Sequence, residues 1–360
     1  LLPVPALTSN IIKKIKEGIK TKGPFIEGIF NRGLEAAIQR HGDGFSKPGL
    51  GVQLRTYFNA LLAEKLIFKK LRLIFGPEIE FLVGGGALLD IKQQQFYKAI
   101  GIPVYQGYGL TEATPIISTN TPFNHKMGTS GKVLEGITCK ICDDSGAALP
   151  QGQKGEIVIR GDNVMKGYYK NESATAETIK NGWLHTGDLG FMDEDGFLVV
   201  VGREKALLIS EDGEKYSPEE IEEAIVSCSS CINQIMIYND HQKYTTALLT
   251  LDKKILESWV KIGTVNSLEE VHQKIKQEML LFSRQPEFKD KFPGKWIPAN
   301  FQIIADEFSE DNKMINSTLK MVRHKITETY HERLDLMYAK KGQQLALEEN
   351  LKVLSNFINL

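Results

Sequence analysis

The chain has 360 residues, 42% of them hydrophobic and 25% charged, and its 44 basic and 45 acidic side chains leave a formal charge of −1. A single hydrophobic core stops growing at roughly 250 to 300 residues, so two folded units are expected. The balanced charge excludes the concentrated basic surface that a nucleic-acid partner requires, and no apolar run approaches the roughly 18 to 20 residues of a membrane-spanning helix.

The first residues, LLPVPALTSN, have neither an initiating Met nor a signal-peptide layout, and read as the middle of a longer chain. NIIKKIKEGIK then places Ile11, Ile12, Ile15 and Ile19 on one helical face with lysines around the rest. This pattern fits a peripheral membrane contact, although most such helices pack on their own domain. A Gly/Pro-rich loop at 41–49 precedes a second apolar helix through RTYFNALLAEKLIFKKL. PEIEFLVGGGALLD reads as strand, glycine turn and helix start, and GIPVYQGYGLTE as a strand running into a loop. Strands alternating with helices predict an α/β fold with a mostly parallel sheet, whose ligands gather beyond the carboxyl ends of the strands.

From Met127 to Gly202 short strands and turns predict a small antiparallel, barrel-like subdomain. A smaller α+β domain is expected after it. Its helix opens at Ser217-Pro218 with a hydroxyl cap and proline at the first position, strands follow at INQIMIY and YTTALLTLD, and a long helical stretch runs from about 252 to 283. The cysteines form two CxxC pairs, Cys139 with Cys142 and Cys228 with Cys231, separated by 86 positions. A zinc ribbon needs a much shorter separation, and residues three apart on a strand face opposite ways. Four reduced thiols in a cytoplasmic protein are therefore expected.

Three segments carry possible chemistry. In QGYGLTE, Gly107 and Gly109 allow close backbone approach, Tyr108 offers a ring to stack on, Thr111 a hydroxyl for a phosphate, and Glu112 a hard oxygen for Mg2+. The heptad alone fits a nucleotide site and a plain turn with a buried tyrosine equally well. GWLHTGDLG and GREK supply Asp188 and Arg203, which suit ribose hydroxyls and phosphate but also occur as a turn residue and a surface charge. INSTLKMVRHK supplies Lys320, which says nothing by itself.

Taken in order, GGGALLD, QGYGLTE, GEIVIRGDNVMKGYY, GWLHTGDLG, GREKALLIS and the TLK segment resemble the adenylate-forming superfamily of acyl-CoA synthetases, luciferases and adenylation domains. The helical insert at about 252–290 and KMINSTLKMVR resemble its long-chain fatty acid members. The resemblance implies a two-step ligase that uses ATP, Mg2+ and CoA to convert a fatty acid into its acyl-adenylate and then its thioester. It implies that 1–202 is the incomplete rear of the large AMP-binding domain, 203–205 a hinge and 206–360 a mobile C-terminal domain. Gly85, Gly86 and Ala87 would line the adenine pocket with Gly107, Tyr108 and Gly109, and Thr111 would meet the α-phosphate. Glu112 would hold Mg2+, Asp188 and Arg203 the ribose, and Lys205 would be the pivot. Lys320 would reach the α-phosphate and the substrate carboxylate, and 210–218 would serve thioester formation.

Two departures stand out. Asn316 and Ser317 replace the Thr-Pro usual in long-chain members, and the Ser/Thr/Gly-rich phosphate loop ending in Lys-Gly is not found in these 360 residues. The rear of a cytoplasmic, or peripherally membrane-bound, fatty acyl-CoA synthetase that is inactive without its N-terminal portion is therefore expected. The alternatives are an adenylating enzyme that loads a carrier protein and a non-catalytic nucleotide-binding module.

Overall fold

Helical periodicity at the front of the chain becomes a layer of helices in the computed structural model, which describes residues 5–86, 89–286, 288–316 and 320–358. α1 (Pro5–Lys20), α2 (Pro24–His41) and α3 (Leu50–Ala63) follow one another, and α3 continues through a π-type turn at Glu64–Phe68 into α4 (Lys69–Phe75). Ile19 is buried, and Ile11, Ile12 and Ile15 pack beside it onto a core that includes Ile29, Phe30, Phe68 and Phe96. The apolar stripe of the basic helix is thus taken up by its own unit. α2 has no clear sequence signature, because Gly28 and Gly33 interrupt its pattern. Tertiary packing sets it instead: a Cβ at Gly33 would lie 2.0 Å from that of Ala63, a crossing with α3 that only glycine permits.

The chain divides into two compact units, Leu1–Val201 and Gly202–Leu360. In the first, β1 (Leu82–Gly84), α5 (Ile91–Ala99), β2 (Val104–Gly109), β3 (Ile116–Thr119) and β4 (Lys132–Val133) build a sheet in the order β1-β2-β3-β4. Asp90 caps α5, its carboxylate accepting from the Lys92 and Gln93 amides. The sheet is α/β in character as expected, but only β1 and β2 run parallel, while β3 and β4 return antiparallel. The expectation of a mostly parallel sheet fails here because Thr111–Ala113 turns the chain straight back after β2, leaving no room for a crossover helix.

A second sheet of this unit holds β5 (Thr138–Cys142), β6 (Gly155–Arg160), β7 (Ile179–Lys180) and β8 (Trp183–Met192), joined by β9 (Leu198–Arg203), with α6 (Glu172–Thr178) between β6 and β7. Its order is β5-β6-β8-β7, with β9 paired to β8. It is an open antiparallel sheet rather than a closed barrel. Ile141, Ile157, Ile159, Leu184 and Leu198 fill its inner face.

The second unit contains β10 (Leu208–Ser210), β11 (Lys215–Tyr216), α7 (Glu219–Cys228), β12 (Ile232–Tyr238), β13 (Asp240–Gln242), β14 (Thr246–Leu251), α8 (Lys253–Lys261), α9 (Leu268–Met279), β15 (Asn300–Ile303), α10 (Arg323–Thr329), α11 (His331–Tyr338) and α12 (Gly342–Ser355). Its main sheet, β12-β14-β15, is buried by Ile221 and Ile225 of α7 and by Val271, Ile275 and Met279 of α9. Each such side chain contributes about 1.5–3 kcal/mol.

Two sequence expectations are corrected in this unit. The helix expected over 252–283 is broken, because Gly263 takes φ +69° and Ser267 caps a new helix. Ser217 does not cap α7: its hydroxyl donates to the Glu219 carboxylate at 2.5 Å, and the helix begins behind Pro218 without a side-chain cap. All four cysteines are free thiols.

Candidate active site

The carboxyl ends of β1 and β2 set two glycine turns next to each other. Gly84 pairs with Gln106 across the parallel strands, so Gly85 and Gly86 leave β1 beside Gly107 and Tyr108. Buried Gln106 ties the far side of the first turn by accepting from the Leu89 amide at 2.8 Å. Gly86 is exposed with φ +84°, while Ala87 lies outside the described residues. At Gly109 a side chain cannot enter unless the turn moves: a Cβ would stand 1.9 Å from the Pro115 carbonyl oxygen, which accepts from the Leu110 amide at 2.8 Å to close the turn.

Tyr108 reaches from β2 to the antiparallel sheet and donates from its hydroxyl to Asp188 Oδ2 at 2.7 Å. Burial, reinforced by the Asp188 charge, pushes the phenol well above its ordinary value, so it remains a donor at neutral pH. Asp188 is 5% exposed and lies within β8 rather than on a free loop, next to a register shift against β6. Thr186 Oγ accepts from the Asp188 amide at 3.0 Å and donates to the Ile157 carbonyl at 2.6 Å. Glu156 takes the Gly187 amide at 3.0 Å on one oxygen and His185 Nδ1 at 2.7 Å on the other. Thr186 and Glu156, which have no role in the sequence reading, thus hold the backbone at Gly187 and Asp188, and Tyr108 orients the carboxylate.

Thr111 and Glu112 continue β2 into a single tight turn, Thr111–Ala113. This turn is stitched to the DNVMKGYY segment. Asn163 Nδ2 donates to the Ala113 carbonyl at 2.9 Å, Thr114 Oγ to the Asn163 carbonyl at 2.8 Å, and the Met165 amide to the Glu112 carbonyl at 2.8 Å. The Tyr168 hydroxyl donates to Glu112 Oε1 at 2.9 Å, and its phenol is raised by burial and by that carboxylate. A half-buried carboxylate oriented by one donor is a fitting hard-oxygen ligand for Mg2+. Tyr168 and Asn163 escape detection because the segment's pattern has no chemistry of its own; its contacts with the turn bring it to the candidate site.

The remaining candidates belong to the second unit. Arg203 ends β9 and is exposed, and Lys205 lies in the short turn Glu204–Ala206. Lys320 is an exposed residue on a loop whose neck is closed by pairing. The Asn316 amide donates to the Lys320 carbonyl at 2.9 Å, the Lys320 amide to Asn316 Oδ1 at 2.9 Å, and the Val322 amide to the Met314 carbonyl at 2.8 Å. Ser317 lies outside the described residues. In the loop 210–218, Asp212 and Glu214 share Lys295. Trp296 donates to Glu214 at 3.0 Å and stacks on Tyr216 at 4.9 Å. The Lys295 ammonium holds both carboxyls below their ordinary range.

Sequence comparison decides what these geometries belong to. Residues 46–169 match AMP-binding enzyme, and residues 205–293 match AMP-binding enzyme C-terminal domain. The chain belongs to the AMP-binding enzyme family. Among its relatives, the long-chain-fatty-acid–CoA ligase FadD15 of Mycobacterium bovis is 29% identical over 308 residues, covering 82% of this chain and 48% of that protein. The chloroplastic long-chain-fatty-acid–[acyl-carrier-protein] ligase AEE15 of Arabidopsis thaliana is 32% identical, covering 78% of this chain and 38% of that protein.

The adenylation domain of a Mycobacterium chelonae carboxylate reductase shares the AMP-binding fold over 94% of this chain and 46% of its own, with a TM-score of 0.69 at 21% identity. The o-succinylbenzoate CoA synthetase of Bacillus subtilis, solved with AMP, is 30% identical over 68% of this chain and 45% of its own, with a TM-score of 0.53. The same enzyme has also been solved with ATP and a magnesium ion. The chain spans less than half the length of each of these relatives. Among the described residues, no helix is long and apolar enough to cross a membrane.

Proposed function

We propose that the chain is the rear part of an AMP-forming acyl-CoA synthetase acting on long-chain fatty acids, and that it needs the remaining half of such a protein to turn over ATP. The observation that carries this reading is the Tyr108–Asp188 hydrogen bond of 2.7 Å, which joins the two most diagnostic motifs beside the glycine turns. A ring next to a fixed, buried carboxylate is what an adenosine needs: a flat face for the base and an acceptor for the ribose hydroxyls.

In this reading Gly85, Gly86 and Ala87 line the adenine with Gly107 to Gly109, Thr111 bonds the α-phosphate, and Arg203 assists Asp188. Mg2+ held by Glu112 supplies positive charge around the phosphates. Lys320 adds its ammonium where charge accumulates as a fatty acid carboxylate oxygen bonds the α-phosphorus and pyrophosphate leaves. The CoA thiol then gives up its proton and attacks the acyl carbonyl, releasing AMP. Residues 206–360 pivot at Lys205 within 203–205 to exchange Lys320 for the loop 210–218 between these steps. The test is pyrophosphate release from ATP and palmitate. The full-length protein should turn over and its Asp188→Asn variant should lose at least about tenfold in kcat/KM for ATP. Sustained release by the 360-residue chain alone would overturn the requirement for the other half.

The relationship to an acyl-carrier-protein ligase at 32% identity favours one second reading, in which the thiol acceptor is a carrier protein. Supplying CoA and phosphopantetheinylated carrier protein in parallel separates the two acceptors.

A further inference from the structure

The Asn-Ser pair that stands before Lys320 raises the question of what holds this lysine loop. Two sets of contacts answer it. At the neck, Asn316 engages both backbone groups of Lys320, each at 2.9 Å, and Ile315 bridges to Met321. At the base, Arg323 is the first residue of α10 and directly follows Val322, which closes the loop onto Met314. Its guanidinium pairs with Glu222 of α7 through Nη2, and Nη1 donates to the Ile237 carbonyl at 3.2 Å. Glu222 in turn accepts from the Ile237 amide at 2.7 Å.

The location explains the pair. Among the described residues β12 is an edge strand, hydrogen-bonded within its sheet to β14 alone. The outward amide and carbonyl of Ile237 would be left unsatisfied beneath α7, and Glu222 and Arg323 take the place of a neighbouring strand. The side chain of Glu222 is 6% exposed and that of Arg323 19% exposed. The guanidinium and the carboxylate meet through one contact, Nη2 to Oε2, and each uses its other arm on the Ile237 backbone, so this desolvated pair is held at three points where a surface pair is held at one.

We infer that Arg323 and Glu222, with Asn316 at the neck, are positioning residues that present Lys320 for the adenylation step. The inference rests on the adenylation role proposed above for Lys320. Two residues, Met321 and Val322, separate Arg323 from the lysine, so freeing the anchor lets the loop shift against the sheet. Misplacement by about 1 Å can cost on the order of 10²-fold in rate.

The two half-reactions of the full-length protein separate this role from general support of the fold. Arg323→Gln and Asn316→Ala are each expected to lower kcat for pyrophosphate release at least about tenfold with KM for ATP nearly constant. Transfer from supplied acyl-adenylate to CoA should stay within about twofold, and Arg323→Lys should recover part of the loss. Parallel loss of both half-reactions together with the melting temperature would overturn the positioning role, as would unchanged pyrophosphate release. Should Arg323→Gln fail to fold, Asn316→Ala decides, since Asn316 is exposed and lies outside every core cluster. Lys320→Ala is measured alongside: full adenylation by that variant refutes the assignment of Lys320 itself, whatever the anchor variants do.

Discussion

His125 shows how a single side chain ties pH to the stability of the first unit. It is 5% exposed, and among the described residues neither ring nitrogen has a hydrogen-bond partner. Its ring lies edge-on to Tyr105 at 5.1 Å. Burial lowers its pKa from 6.5 to about 4, with Lys98 and His41 adding to the shift and Asp43 opposing it. The unfolded chain therefore binds a proton between about pH 6.5 and pH 4 that the folded chain refuses, and stability falls as pH drops through this window. Between pH 7 and pH 5 the loss from this residue is about 2 kcal/mol. Glu222, raised to about 7 by burial, changes stability in the opposite sense, so the measurement must be a difference. Urea unfolding at pH 7 and pH 5 should show a drop smaller by about 2 kcal/mol in His125→Phe than in the parent chain. Equal slopes would mean that the imidazole titrates normally when folded.

At the scale of elements, the site depends on how tightly β2 turns back into β3, and of two glycines in neighbouring motifs one should be sensitive to the same change and the other not. A methyl at Gly109 would overlap the Pro115 carbonyl at 1.9 Å, whereas a Cβ at Gly85 meets nothing within 4 Å. Gly109→Ala is expected to destabilise the first unit by about 2–3 kcal/mol, and Gly85→Ala to leave the thermal midpoint within about 1 °C, as is usual for substitutions that touch nothing. Differential scanning calorimetry on both variants checks the contrast; equal midpoints would show that the turn relaxes. The strands and helices around these turns were legible because their apolar residues alternate or recur cleanly, as in GEIVIR and SPEEIEEAIVS. α2 was hidden because its glycines serve packing rather than turning, and the 252–283 break because Gly263 falls within an otherwise helical pattern. Tyr108 and Asp188 were legible as types within motifs, yet their hydrogen bond joins residues 80 positions apart. No local pattern encodes that pairing, nor Tyr168 on Glu112.

For the whole molecule, the two units differ in how completely they cover their own apolar surface. The two buried clusters of the second unit run from Leu208 to Ile358 without residues from the first. The first unit instead leaves Leu50 at 79%, Leu54 at 78%, Phe58 at 71% and Ile74 at 78% exposed along α3 and α4. A run of large apolar side chains at helical spacing is costly to leave in water, and such contiguous patches ordinarily mark a covered surface. The family relatives are more than twice as long as the stretch they share with this chain, which gives that face a ready cover in a longer protein. Residues 202–360 expressed alone should therefore stay monomeric and unfold in one transition, with near- and far-ultraviolet circular dichroism coinciding. Residues 1–201 alone should bind a hydrophobic dye and associate as concentration rises. Non-coincident transitions in the first experiment would show that the second unit borrows part of its core, and a monomeric 1–201 that binds no dye would show that its exposed face needs no partner.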